Sequence, residues 1–270
     1  MKLRPTGNVT LSFDPREQDT ADQISRACVK ATSLIQKIWG LKVPSDCQIY
    51  VMTSGLGFVF HSAPWHWRIL LGATMPLWYF RVRRTWPYSA AWTQRYGKRV
   101  VIGVKPPYLW EQSDKSISIH IFVEENDIEA NVQHITCHEL VHACSAHLKL
   151  PVWLNEGIAT ATVDRFLESQ TIHGKTLALI KRFLPKKAPP TLRELSCMSG
   201  ETFAYHAVRG YWLVRYLEEK CPGFLNRMFS LRRDSMVIER EMAMELGIEP
   251  ESFWSEIDEM VVGHFNEEIK

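Results

Sequence analysis

The run His138-Glu139-Leu140-Val141-His142, followed by Pro151-Val152-Trp153-Leu154-Asn155-Glu156-Gly157, decides how this chain is read. On a helix, residues four apart share a face, with Cβ atoms about 5–6 Å apart. Two imidazoles at that spacing can grip one ion of zinc size, with Zn–N distances near 2.0–2.1 Å. Glu139 falls about 100° round the helix from His138. There it can hold a water on the ion without being a ligand, the arrangement a metal-dependent hydrolase needs.

The surroundings sharpen the motif. Ala130-Asn131-Val132-Gln133-His134-Ile135-Thr136-Cys137 carries a helical pattern into it, as a ligand-bearing helix requires. Pro151 is expected to stop that helix, and Trp153-Leu154-Asn155-Glu156-Gly157-Ile158-Ala159 to open the next. A first helix running from His142 to Lys149 climbs about 10 Å, and Trp153 to Glu156 brings the chain back about 5 Å. Glu156 therefore reaches the ion if the helices cross steeply or the first one ends early. Its other reading is a solvated carboxylate in a first helical turn, where the helix dipole favours it.

His-Glu-Leu-Val-His followed by Trp-Leu-Asn-Glu-Gly-Ile-Ala resembles the gluzincin zinc peptidases, and within them the short peptidase MA-like branch. The resemblance implies His138, His142 and Glu156 as ligands of one zinc ion per chain, and Glu139 as general base. It also implies a zincin-like fold and hydrolysis of peptide bonds in a peptide or protein substrate. Thermolysin-type relatives carry an aspartate where this chain has Thr160, whose hydroxyl orients a ligand imidazole less firmly than a carboxylate. Related gluzincins take an oxyanion donor from a later helix, which 202–217 resembles. Tyr205 or His206 fits that role with a two-residue slip in register. Alternatively Tyr205, Tyr211 and Tyr216 are packing residues of an amphipathic helix. A metzincin arrangement is excluded, since it needs a glycine where Ser145 stands and a histidine where Leu148 stands. His147 reads as a helix-end residue, and His134, one turn before His138, as an ordinary polar contact, a support for the ligands or a substrate-facing residue.

At 270 residues with 46% apolar content, the chain has ample material for a core. Net charge is +2 from 32 basic and 30 acidic residues, a balance that argues neither for nucleic acid nor for an acidic substrate, and no nucleic-acid partner is expected. Met1–Gly7 has no apolar run of the kind that begins a secretory signal, so a cytoplasmic protein is expected. Cys28, Cys47, Cys137, Cys144, Cys197 and Cys221 show no C-x-x-C spacing and read as mostly reduced, buried thiols.

The fold class expected is α+β: a small mixed sheet, an active-site helix and a helical C-terminal half. Residues 1–126 form the sheet region and 127–270 the zinc-binding and C-terminal helices. Strands are expected at Asn8–Asp14, Cys47–Thr53, Arg99–Val104 and Ser116–Val123. A helix capped by Asp19 or Thr20 should run to Trp39 and stop at Gly40, with Ile24, Cys28, Ala31, Leu34, Ile35 and Ile38 inward. By resemblance, the last strand borders the cleft and pairs with extended substrate. Later helices are expected near 173–184, 201–220, 222–231, 234–246 and 250–268.

Residues 56–96 stand apart, holding Trp65, Trp67, Trp78, Trp86 and Trp92 with Arg81, Arg83 and Arg84. The segment reads as an insertion folded on the core, as a lid over the active site, or as a peripheral membrane contact. Two other functional classes are compatible with the motif: a non-catalytic zincin-fold binding module, and a zinc hydrolase of non-peptide amides or esters.

Overall fold

Aliphatic and β-branched runs build the sheet. In the computed structural model, which describes residues 1–110, Val123, 127–182, 200–231 and 235–266, five strands pair in the order β1-β2-β3-β5-β4. These are β1 (Lys2–Thr6), β2 (Val9–Phe13), β3 (Cys47–Val51), β4 (Ala91–Tyr96) and β5 (Arg99–Val104). β2, β3 and β5 are mutually parallel, with Ile49 opposite Ile102, while β1 and β4 add antiparallel at the two ends. Three strands thus match the expected ones. β1 and β4 were not expected. Pro5 lacks a backbone donor, which a strand tolerates at a sheet edge, and β1 is an edge. The expected strand Ser116–Val123 lies outside the described residues except for Val123.

A parallel pair needs a crossover. Between β2 and β3 it is α1 (Gln18–Trp39), whose buried face is Ala21, Ile24, Ala27, Cys28, Ala31, Ile35 and Trp39, with Leu34 and Ile38 half-buried. Entry to this helix comes earlier than expected. Asp14 accepts from the Arg16 amide, Pro15 sets the first φ, and a short 3-10 turn leads into α1. Gly40, at φ +66°, ends it as expected.

Between β3 and β4 lie α2 (Gly55–Ser62), α3 (Trp65–Ala73) and α4 (Met75–Thr85). Tyr50, Met52, Phe58, Val59, Ala63, Tyr96 and Val101 form a core against which Trp67, Leu71, Trp78, Val82, Trp86 and Trp92 pack. The aromatic-rich segment is therefore folded on the core by one face, and its last residues are β4. Lys105 is buried here, donating to the Trp86 carbonyl with its ammonium 4.2 Å from the Trp86 ring centre. Burial lowers its pKa to about 8.

The remaining helices are α5 (Ile128–Ser145), α6 (Val152–Leu167), α7 (Leu177–Arg182), α8 (Gly200–Lys220), α9 (Phe224–Ser230), α10 (Ser235–Glu245) and α11 (Phe253–Asn266). The chain divides into two compact units. One contains the sheet, α2–α4 and α5 up to Cys144. The other contains Ile35–Leu41 and the described residues from Ser145 onward. The composition is mixed α and β, compatible with the α+β class. Cys28, Cys47, Cys137 and Cys144 are buried free thiols, as expected, and Cys221 is free and half-buried. Cys197 lies outside the described residues. Among the described residues no helix is long and apolar enough to cross a membrane.

Candidate metal centre

α5 starts at a side-chain cap: Asp127 accepts from the Glu129 amide at 2.9 Å. Its buried face is Val132, Thr136, Cys137, Leu140, Val141, Ala143 and Cys144. That burial fixes the helix roll and leaves His134, His138, Glu139 and His142 half-buried. The His138 and His142 rings meet edge to face, with centroids 4.6 Å apart. Their Nε2 atoms are 3.0 Å apart. Two nitrogens on one tetrahedral ion at 2.0–2.1 Å are about 3.3 Å apart, so the pair is close to the bite a zinc ion requires. His134 is one turn earlier; burial, and then the neighbouring His138, lower its pKa to about 3, so its ring is neutral.

Glu139 has a specific partner that the sequence did not indicate. Thr93, on edge strand β4 opposite Ile102, donates its hydroxyl to Glu139 Oε2 at 2.5 Å. The only available signal was the alternation of residues 91–96, hidden in a segment read as one aromatic-rich insertion. Pairing with β5 aims Thr93 at α5, and the neighbouring Trp92 packs into the core beside Phe58 and Trp86.

The expected helix from His142 to Lys149 is shorter than that, and Pro151 is not what stops it. α5 ends at Ser145, and the Leu148 amide closes a turn onto the Ser145 carbonyl at 2.8 Å. Lys149 then adopts the left-handed conformation at φ 52°, and Pro151 serves as N-cap of α6. His147 is exposed in this turn. The early end answers the distance problem posed by Glu156. One donor atom from each of His138, His142 and Glu156 lies within 4.8 Å of the other two. The donor types and number fit a catalytic zinc site, which keeps a fourth position for water.

α6 is buried almost all round, through Trp153, Leu154, Gly157, Ile158, Ala159, Thr160, Ala161, Thr162, Val163 and Phe166. Thr160 donates to the Glu156 carbonyl at 3.0 Å, so its hydroxyl proton goes to its own helix. Beside Glu156 the helix makes a backbone-close crossing with α8. A Cβ on Gly157 would collide with the Gly210 carbonyl, and one on Gly210 with the Trp153 carbonyl. Further along, Asp164 accepts from Tyr211 at 2.6 Å and from the Thr171 hydroxyl at 2.5 Å.

The two candidate oxyanion donors sit next to each other on α8 in different settings. Tyr205 is buried and donates to Asp258 Oδ2 at 3.0 Å, and Arg209 Nε donates to Asp258 Oδ1 at 2.8 Å. Burial pushes the Tyr205 hydroxyl far above its ordinary pKa. His206 is half-buried, one turn before Gly210; burial, then Arg209, lower its pKa to about 4 and keep the ring neutral. It is not among the residues gathered with His138, His142 and Glu156. No protein-family model matches this chain, and no curated protein matches it.

Proposed function

We propose that this chain is a zinc-dependent peptidase of gluzincin type with a zincin-like fold. The observation that carries the reading is the meeting of donor atoms from His138, His142 and Glu156 within 4.8 Å, with Glu139 next to the first of them on the same helix. These three residues would hold the ion. When bound, it supplies Lewis acidity toward a peptide carbonyl and lowers the pKa of water.

The protein's own groups do the rest. Thr93 holds Glu139 Oε2, and Oε1 would be the oxygen that takes the water proton. Glu139 takes a proton from that water as its oxygen bonds to the carbonyl carbon. It then delivers the proton to the amide nitrogen as the C–N bond breaks, and returns to the carboxylate form. For the oxyanion, His206 is the stronger of the two candidates. Its neutral ring can donate one N–H and lies one turn from the α6–α8 crossing, whereas the Tyr205 hydroxyl is engaged with Asp258. Reduced thiols at Cys28, Cys47, Cys137 and Cys144 support a cytoplasmic setting.

The test pairs metal content with turnover. Plasma mass spectrometry of protein purified without chelator should give about one zinc per chain, falling sharply in Glu156→Ala. Glu139→Gln should keep the zinc and lose cleavage of a peptide library by a factor of about 10²–10⁴. A parent that binds no zinc on titration, or a Glu139→Gln variant of full activity, overturns the reading.

A further inference from the structure

The side of α3 and α4 that faces away from the core has a composition of its own. Inward, Trp67 and Leu71 on α3, Trp78 and Val82 on α4 and Trp86 just after it follow a four-residue spacing and pack on the core. Outward stand Trp65 (72% exposed), Ile69 (65%), Leu70 (51%), Leu77 (83%) and Phe80 (73%). Both faces of this helix pair are thus apolar, and only one is covered. Isolated exposed apolar residues are ordinary, but a contiguous set of large ones marks an interaction surface. The single residue Thr74 links the two helices that carry them.

Charge singles out what this surface meets. From Cys47 to Trp110 there is no Asp or Glu, while eight Lys and Arg occur there. With +2 for the whole chain, the remainder carries −6. On α4, Leu77, Phe80, Arg81 and Arg84 follow the i, i+3, i+4, i+7 spacing of one helix face. Arg81, Arg83 and Arg84 are exposed, and no ion pair holds them among the described residues. A helix lying along an interface sinks such a face about 5–10 Å, while long arginine side chains reach back to the phosphates.

We infer that the outward face of α3 and α4 docks on an anionic membrane surface, with Trp65, Ile69, Leu70, Leu77 and Phe80 entering the acyl boundary and Arg81, Arg83 and Arg84 meeting lipid phosphates. A protein partner of matching shape would cover the apolar residues equally well. The absence of any carboxylate from so long a stretch favours a continuous negative surface over a mixed one. Neither helix is long and apolar enough to cross a bilayer, so the contact is peripheral, through this pair of helices. The inference is independent of the zinc site.

Vesicle sedimentation tests it on the full chain. The parent should pellet with vesicles of phosphatidylcholine and phosphatidylserine, stay largely in solution with phosphatidylcholine alone, and be released by salt. Leu77→Glu with Phe80→Glu should cut partitioning by at least roughly tenfold. Arg81→Gln, Arg83→Gln and Arg84→Gln together should lower it roughly fivefold per arginine on the anionic vesicles only. All these positions are exposed, and an unchanged thermal melt verifies folding. A parent that ignores both vesicles, or a Leu77→Glu, Phe80→Glu variant that pellets like the parent, overturns the inference. So does a parent that light scattering finds dimeric, with that variant monomeric and neither on vesicles: the face then joins two copies of the chain.

Discussion

Ser145 donates its hydroxyl to Asn155 Oδ1 at 2.7 Å, joining the last residue of α5 to the first turn of α6. Ser145 is buried, so the bond has little competition from water. It spans the six-residue connection 146–151 and anchors the first turn of α6 at Asn155, one residue before Glu156.

Ser145→Ala should therefore act on the metal as well as on stability. Removing the hydroxyl leaves Asn155 with one acceptor bond fewer and should cost about 1–2 kcal/mol. By loosening the approach of Glu156 it should weaken zinc binding roughly tenfold. Competition against a chromophoric chelator, beside a thermal melt, separates the two effects.

Thr93→Val keeps the shape of the side chain and removes its donor. We expect zinc content to stay at the parental value while kcat on a cleaved peptide drops roughly tenfold. Thr93→Ser should restore most of it. Loss of zinc in Thr93→Val would show that the hydroxyl supports the site's structure rather than the base.

The α6–α8 crossing should tolerate no side chain. Gly157→Ala and Gly210→Ala each force backbone apart, at a cost of about 2–4 kcal/mol. Gly72→Ala is the control, because a Cβ there meets nothing within 4 Å and the helix interior gains from alanine. Denaturant unfolding of the three variants should rank Gly72→Ala at or above the parent and the other two well below.

His206 gives the metal-free protein an acid dependence of known sign. Its pKa is lowered from 6.5 to about 4, chiefly by burial, so the unfolded chain binds the proton more readily. Its contribution is full above pH 6.5 and is lost as pH falls toward 4. Melting temperatures of the chelator-treated parent and of His206→Gln across that interval should converge at the acid end.

Much of the site was legible because its signals are local. His138 and His142 share a face through helix geometry alone, and α1, β3 and β5 follow from spacing and β-branched content. What escaped depended on partners distant in sequence. Thr93 acquires meaning only once β5 pairs with β4 and turns it toward Glu139. β4 was concealed because its aromatic residues continue the composition of the helices before it. Nothing in residues 143–150 spells a helix end. α5 stops at Ser145 because a turn, a left-handed Lys149 and the bond to Asn155 outweigh local helical preference. β1 was missed because Pro5 reads as a strand breaker unless the strand is known to be an edge.

The brevity of the α5–α6 connection has a consequence for how the protein is made. His138 and Glu156 bracket a loop of fewer than twenty residues, and loop-closure entropy rises only with the logarithm of length. A segment so local can come together before the long-range pairing of β2, β3 and β5, whose partners must be found across many residues. Zinc present during refolding should therefore speed the folding rate itself, whereas zinc that met only the finished protein would slow unfolding alone.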